Sequence, residues 1–546
     1  MQGPGCGPPE THHPGVNGSK RFVCGGAVAP SYRLVVCPDC FRGVMVKGNF
    51  AAMKPAPAVL FWAAAIVVPI VLWSAGGPYI NFTYSEDYEP FELFGMTASV
   101  VLLLGVMVAW RRARPANLQE AVPVILPTLV YFGILILISE LSLMKSWDYD
   151  CYECAAISII QGKPIYGEGY IYPPLVAQVL VKVHQTVTAA ATGLGVKLEV
   201  VKTGHVVDKS WLIVYYLYQC AQYLLACLAF LLLRRLARGA GMGETTAAAM
   251  AAALICVNSP LYRTLRHNQV NLWVLDLSLL AILLLPQMPV VAGLLIGIAA
   301  HIKLYPLLLL FPCVLTRGWR TLAGAAFGIV AILAAQTGFF ADWGLWRQFL
   351  DFARAFPKGV QFRDNGVHSL VYNTVRLVSG AGAETAMPIA DGIVLLITLA
   401  VGAWFVARYV RRSRTWVVPK NAPGEFLADD RTVKLIGHSI DVMALMLLIS
   451  PMAWEHHYIL AMPVLVWACV LSGRERLGLI AVAWAMIFLM PTFDLYPLSY
   501  HRLAGLLLLV WVTGPRRVFQ SSGAGLRPRS SDSPIPQRPR RGARSW

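Results

Sequence analysis

Two aspartates, Asp148 and Asp150, follow directly on an apolar run in the stretch KSWDYDCYECAAISIIQGKPIYGEGYIYPP, residues 145–174. A carboxylate at the mouth of a membrane span is costly to place and is a functional candidate by default. Gly162, Gly167 and Gly169 permit tight turns behind it, and Pro164, Pro173 and Pro174 fix them. Such a loop can hold an acid over a cavity. The work open to one well-placed carboxylate is general-base catalysis, removing the proton from a hydroxyl as that hydroxyl attacks an electrophile. The competing reading is an interfacial Asp that only solvates the end of a loop.

A second group of residues is cationic. SPMAWEHHYIL sets His456 and His457 at the outer end of a span, where imidazoles can donate to a phosphate, ligate a metal or mark the interface. Adjacent histidines point in different directions on a helix and make a poor chelate, and Glu455 adds little to it, so phosphate or substrate contact is the preferred reading. Lys303, in AAHIKLYPLLLLF, is too deep in apolar sequence to be a loop lysine; it snorkels to the interface or meets an anion in the membrane. The segment RTLRHNQVN offers Arg263, Arg266, His267, Asn268, Gln269 and Asn271, a set suited to sugar hydroxyls and phosphate oxygens alike.

These features describe an outward-facing cavity with one carboxylate side and one cationic side. That arrangement fits transfer of a group from a lipid phosphate. The departing phosphate gains charge that Lys, Arg and His stabilise, while Asp takes the acceptor's proton. Soluble nucleotide-activated donors are made in the cytoplasm, so chemistry on the outer face most simply uses a membrane-anchored donor. A lipid or sugar transporter or flippase is the alternative, and a divalent ion held by Asp148 and Asp150 is a third reading that insensitivity to chelator would exclude.

The elements that must position these residues are transmembrane helices. Of 546 residues, 57% are hydrophobic and 14% charged, with a mean hydropathy of +0.58, whereas a soluble domain is about a quarter charged. The net charge of +17 lies in short basic clusters between apolar runs, as in cytoplasmic loops, and no aromatic-interleaved basic platform argues for nucleic acid. Several of the eleven cysteines lie inside apolar runs and pack as small hydrophobes. Cys24, Cys37 and Cys40 contain a single C-P-D-C pair, half of a zinc ribbon, and no metal site is expected.

Apolar runs of span length fall near 57–74, 93–110, 121–143, 211–233, 244–260, 271–286, 321–340, 388–408, 437–452, 458–472, 477–491 and 500–514. Residues 289–315, broken by His301, Lys303 and Pro306, read as two short or kinked helices meeting near Lys303. The total is about 14 crossings, within a range of about 12 to 14. Placing Arg111 to Arg114, Arg234 to Arg238, Arg317 with Arg320, Arg408 to Arg414, Arg474 with Arg476, and Arg516-Arg517 on one cytoplasmic side closes the parity only if 172–193 lies along the interface. The polar segments with Asp148, His267, His368 and His456 then face outward. The expected organisation is a disordered or misassigned leader at 1–54, one transmembrane domain over 55–515, and a disordered basic cytoplasmic tail at 516–546. No internal repeat is visible, which weakens a transporter built from duplicated halves.

The ordered series WDYDCY, QGKPIY, YPP, HNQVN, AAHIKLYPLLL, NGVHSLVYN and SPMAWEHHY, running from Trp147 to Tyr458, resembles the polyprenol-phosphate-sugar-dependent glycosyltransferases of family 87. The resemblance implies an all-α, polytopic GT-C-like bundle with interfacial helices in its first large extracytoplasmic loop. It implies a polyprenyl-phosphate sugar donor, mannose being the family's best-known sugar, a glycolipid or glycan acceptor, and no metal or other cofactor. The catalytic base maps onto Asp148, in the Asp-x-x-x-Tyr pattern ending at Tyr152, with Asp150 second. Lys303, His456, His457 and Arg266 would meet the donor phosphate. Tyr152, Tyr172, His267, Asn268, Gln269, Asn271, His368 and Ser369 would line the substrate. The sequence departs from the family in reading His-Asn-Gln-Val-Asn where Gly-Gln-x-Asn is common, and in a leading hairpin over 57–110.

Overall fold

A computed structural model describes residues 146–514, apart from 167–168, 203–204, 257, 357, 361–363, 381, 416–424, 428–429, 473–475 and 491–495. The expected spans at 57–74, 93–110 and 121–143, the leader, the C-P-D-C pair and the tail lie outside the described residues. Within them the chain is helical apart from one short hairpin. Glu199–Lys202 (β1) pairs antiparallel with His205–Asp208 (β2), Glu199 opposite Asp208 and Lys202 opposite His205. The helical expectation missed it, although two Val-rich tetrapeptides around Thr-Gly are a hairpin signal.

The helices occur where apolar length requires them. α1 (Trp147–Ile160) and α2 (Leu175–Gly193) precede the hairpin, and α3 (Ser210–Gly239) follows it. Next come α4 (Glu244–Cys256), α5 (Ser259–Arg266), α6 (Asn271–Leu284) and α7 (Pro289–Ile302). A 3-10 turn at Tyr305–Leu309 leads into α8 (Leu310–Leu315) and then α9 (Trp319–Gln336), α10 (Gly344–Arg354), α11 (Val367–Ser379) and α12 (Ala383–Thr415). After α13 (Asp430–Leu448), a 3-10 helix at Glu455–Ala461 opens onto α14 (Met462–Leu471). α15 (Leu477–Trp484), with a π turn at Ala485–Leu489, and α16 (His501–Val512) complete the set.

Three of these helices, α3, α9 and α12, are each long and apolar enough to cross a bilayer, and α4 with α5 form a bent pair that passes together. The shorter apolar helices fall at 271–284, 289–302, 305–315, 455–471, 477–489 and 498–512. Large apolar side chains such as Leu224, Phe327, Leu396 and Leu399 are exposed, as on a lipid-facing surface. Together these features are those of a membrane protein. The main core runs through α3, α6, α13, α14 and α16 and buries Leu233, Leu279, Met443, Trp467 and Leu506.

One helix crossing does most to place the centre of the molecule. Gly293 and Gly297 of α7 face Gly324 and Gly328 of α9, and a Cβ on Gly293 would lie 2.0 Å from the Thr321 carbonyl oxygen. A Cβ on Gly324 would lie 2.1 Å from the Val290 carbonyl oxygen. Glycines four apart on both helices let the backbones touch, the device by which helices associate in lipid without a hydrophobic drive. The result fixes α7, whose last turn leads to Lys303.

Candidate active site

Asp148 is set by its helix start. Ser146 caps α1, its hydroxyl accepting from the Tyr149 amide at 3.3 Å. Both acids of the first turn suit the positive end of the helix, but they face differently: Asp148 is half-buried and Asp150 exposed. The same Ser146 hydroxyl donates to the His267 carbonyl at 2.7 Å, with Asn268 Oδ1 at 3.0 Å. The Asp loop is therefore tied to the turn between α5 and α6.

That turn follows from NSPLYRTLRHNQVN. Asn258 caps α5 by accepting from the Leu261 amide, and Pro260 sits in the first turn, where its missing N–H costs nothing. After eight residues Asn268 takes φ 54, the left-handed conformation that Asn tolerates at a helix end. The Gln269 amide closes onto the Thr264 carbonyl at 2.8 Å. The chain reverses with His267 and Gln269 facing Asp148. His267 Nδ1 lies 4.0 Å from Asp148 Oδ2, with side chains 32% and 19% exposed respectively. Gln269 hydrogen-bonds Asp148, accepts from the Tyr172 hydroxyl at 2.7 Å, and has its carbonyl held by Gln222 Nε2 at 2.8 Å. Tyr218 donates to the Asn268 carbonyl at 2.6 Å.

Tyrosines wall the site. Tyr152 meets Tyr172 edge to face at 5.3 Å and Tyr149 meets Tyr215 at 4.8 Å, geometries that aromatic quadrupoles favour. Burial pushes the Asp148 carboxyl up to about 6, against the Gln269 hydrogen bond and the Lys303 charge, which both pull it down.

Lys303 ends α7 in extended backbone, φ −145, at the break foreseen near it. Its ammonium donates to Asn271 Oδ1 at 2.6 Å and contacts His457 Nε2 at 2.9 Å. It lies 5.1 Å from the Tyr172 ring centroid. An ammonium has three donors and no acceptor, so Nε2 accepts and His457 Nδ1 carries the hydrogen. Among the described residues that buried Nδ1 has no hydrogen-bond partner. His456 and His457 stand on the 3-10 helix, ring centroids 4.6 Å apart, and the His456 carbonyl accepts from Asn271 Nδ2 at 3.3 Å and Thr264 at 3.2 Å.

The structure thus brings together Asp148, Tyr152, Tyr172, His267, Asn268, Gln269, Asn271, Lys303, His456 and His457. Arg266 is half-buried at the end of α5. His368 and Ser369 sit in a separate buried brace. His368 bonds the Gly359 carbonyl at 2.8 Å and Asp391 at 3.0 Å, and Ser369 bonds the Tyr500 hydroxyl at 3.0 Å. Among the described residues no group of three or more His, Cys, Asp or Glu is placed to hold a metal.

Sequence reasoning overlooked Ser146, Tyr218 and Gln222, and set Glu455 aside. Glu455 is buried, accepts from Arg502 at 2.7 Å and from Ser259, and has Arg263 at 3.5 Å. A glutamate and an arginine within apolar runs demand partners, so AWEHHY and SYHRLAG carried the signal.

Comparison with known proteins meets this geometry in the middle of the chain. The sequence profile of glycosyltransferase family 87 matches residues 170–419. The central part of the chain matches family 87. The family 87 match takes in Tyr172, the 267–271 turn, Lys303, His368 and Ser369, and begins after Asp148 and ends before His456. A polyprenol-phosphate-mannose-dependent alpha-(1-2)-phosphatidylinositol mannoside mannosyltransferase of Mycolicibacterium smegmatis is 27% identical over 255 residues, 45% of this chain and 54% of that protein. A polyprenol-phosphate-mannose-dependent alpha-(1-2)-phosphatidylinositol pentamannoside mannosyltransferase of Mycobacterium tuberculosis is 26% identical over 236 residues, 42% and 47% of the two chains. The chain spans about half the length of the curated relatives it matches. No solved structure matches it.

Proposed function

We propose that the protein is a polyprenyl-phosphate-sugar-dependent glycosyltransferase that moves a hexose, mannose being the first to test, to a glycolipid or glycan acceptor on the extracytoplasmic face of the cell membrane. The reading includes a GT-C-like bundle of about 14 spans with both termini in the cytoplasm. The observation that carries it is the pairing of a half-buried carboxylate, Asp148, with the buried donors of Lys303 and His457 across Gln269, Asn271 and Tyr172.

The acceptor hydroxyl attacks the anomeric carbon and forms the new C–O bond. Its proton passes to Asp148. The bond from the anomeric carbon to the phosphate oxygen breaks, and its electron pair leaves on the polyprenyl phosphate. Lys303 and the Nδ1–H of His457 meet that anion in a water-poor setting, where charge stabilisation is strongest. A carboxyl titrating at about 6 is ionised at neutral pH yet basic enough for the task. The names of both relatives, each dependent on polyprenol-phosphate-mannose, support the donor class, and the phosphatidylinositol mannosides they name support a glycolipid acceptor.

The test is purified protein in nanodiscs with a panel of polyprenyl-phosphate hexoses and glycolipid acceptors, product read by mass spectrometry. Transfer is expected from one donor and is expected to fall at least about 10³-fold in Asp148→Asn, with Asp150→Asn near wild type. Transfer by Asp148→Asn at the wild-type rate overturns the assignment, and donor-independent uptake of sugar identifies a transporter instead.

A further inference from the structure

Behind Asp148 runs a chain of polar side chains that the reaction does not use directly. Arg502 and Ser259 bind Glu455 Oε1, and Arg263 Nε stands 3.5 Å from its Oε2. From there Arg263 turns a second nitrogen, Nη1, to His267 Nε2 at 3.1 Å. A guanidinium has five donors and no acceptor and does not lose its proton in proteins. Nε2 is therefore the accepting nitrogen, and the hydrogen of a neutral His267 lies on Nδ1, the nitrogen 4.0 Å from Asp148 Oδ2. That separation is too long for a direct hydrogen bond and right for an oxygen atom between the two groups.

We propose that Arg263 is a positioning residue that locks His267 as its neutral Nδ1–H tautomer, so that an acceptor hydroxyl entering between His267 and Asp148 is held with its oxygen accepting from Nδ1 and its own hydrogen aimed at the carboxylate. The inference rests on the transferase reading for the identity of that hydroxyl, while the tautomer follows from the side chains alone. Two features of the page support the arrangement. The Arg263 charge disfavours a second positive charge on the imidazole, which would otherwise pair with Asp148 and close the slot. Glu455, held in turn by Arg502 on α16, fixes where the guanidinium points. The other titratable groups facing the pair are Lys303, His456, Tyr152, Tyr172 and Tyr218. Each belongs to an element other than α5, so the tautomer is assigned by Arg263.

The test has a readout independent of turnover. In protein labelled with 15N-histidine in nanodiscs, the His267 signal is identified by its loss in His267→Asn. It is expected to report Nδ1 protonated and Nε2 free at neutral pH, shifting to the other tautomer in Arg263→Met. Arg263→Lys, which keeps a cation beside Glu455 but lacks the fork that serves two partners, is the folded comparison and is expected to shift in the same direction. Kinetically, Arg263→Met should lower kcat by about 10- to 100-fold with little change in KM. His267→Asn, whose amide nitrogen stands where Nδ1 stood, should keep most activity and make the Arg263 substitution nearly silent. A wild-type His267 protonated on Nε2, or on both nitrogens, overturns the proposal. So does an equal loss from Arg263→Met in both backgrounds, the mark of a merely structural arginine. Absence of transfer from every donor with the Nδ1–H tautomer present fells the transferase reading and leaves the tautomer assignment standing.

Discussion

Asp148 and Asp441 are both acids held inside an apolar molecule, and their surroundings are opposites. Asp441 of α13 receives Arg408 Nε at 3.0 Å and Arg412 Nη1, while the same guanidiniums reach the carbonyls of Val510, Thr513 and Gly437. Two arginines of α12 are thereby stitched to α13 and to the end of α16, with every group nearly inaccessible. Asp148 has one amide, an imidazole 4.0 Å away and a lysine acting from a distance. A saturated cluster is a joint, whereas an acid left short of partners is held for something that arrives later.

The same substitution should therefore move stability in opposite directions. Asp441→Asn leaves two buried guanidiniums short of their counter-charge and should cost about 3 to 5 kcal/mol. Asp148→Asn removes a carboxylate that burial already disfavours, since its folded value of about 6 lies above the ordinary carboxylate range. Its melting temperature should rise, or at worst hold, while transfer is lost. Thermal unfolding of both variants in one detergent checks this, and a shift of the same sign at both sites would break the contrast.

The cations sharpen it further. Lys303→Met keeps the length of the side chain and removes the charge, so kcat should fall by about 10²-fold with a smaller loss of stability. Arg412→Met should do the reverse, lowering the melting temperature without a specific effect on kcat in the protein that remains folded. Steady-state kinetics beside thermal melts separate the two, and an intact kcat in Lys303→Met removes that lysine from the phosphate side.

Much of this was legible in the sequence because lipid leaves few options. Apolar runs at 211–233, 271–286, 321–340 and 388–408 became α3, α6, α9 and α12, since a backbone in hydrocarbon must satisfy itself. The break at Lys303 followed from a charge and a proline in one apolar run. Other features were not readable from position alone. Arg408 to Arg414 read as one basic cluster at a cytoplasmic edge, but Arg408 and Arg412 are buried, because their partner Asp441 comes 29 residues after Arg412 and meets it only in the folded bundle. Glu455 was discounted as a metal ligand when its role is to hold Arg263 and Arg502. His368 and Ser369, chosen for a motif, brace α11 against Asp391 and Tyr500. Motif membership marked the neighbourhood, and only geometry separated Asp148 from Asp150.

The smallest effect expected is also the one that ties the two halves of the contrast together. Asp148 must be ionised to accept a proton, so kcat/KM should fall as pH drops through about 6, approaching a tenfold loss per pH unit below it. Stability should move the other way. Between the ordinary carboxylate value of about 4 and the folded value of about 6, the folded state holds a proton that the unfolded state has released. Lowering the pH across that window therefore favours folding at this site, and raising it through about 6 removes the benefit. The difference in melting temperature between wild type and Asp148→Asn isolates this site from other titrating groups. It should shrink as pH falls from about 7 to about 5, over the same interval in which wild-type activity declines. A gap that widens, or an activity that is flat across the interval, would mean that Asp148 is not the buried base.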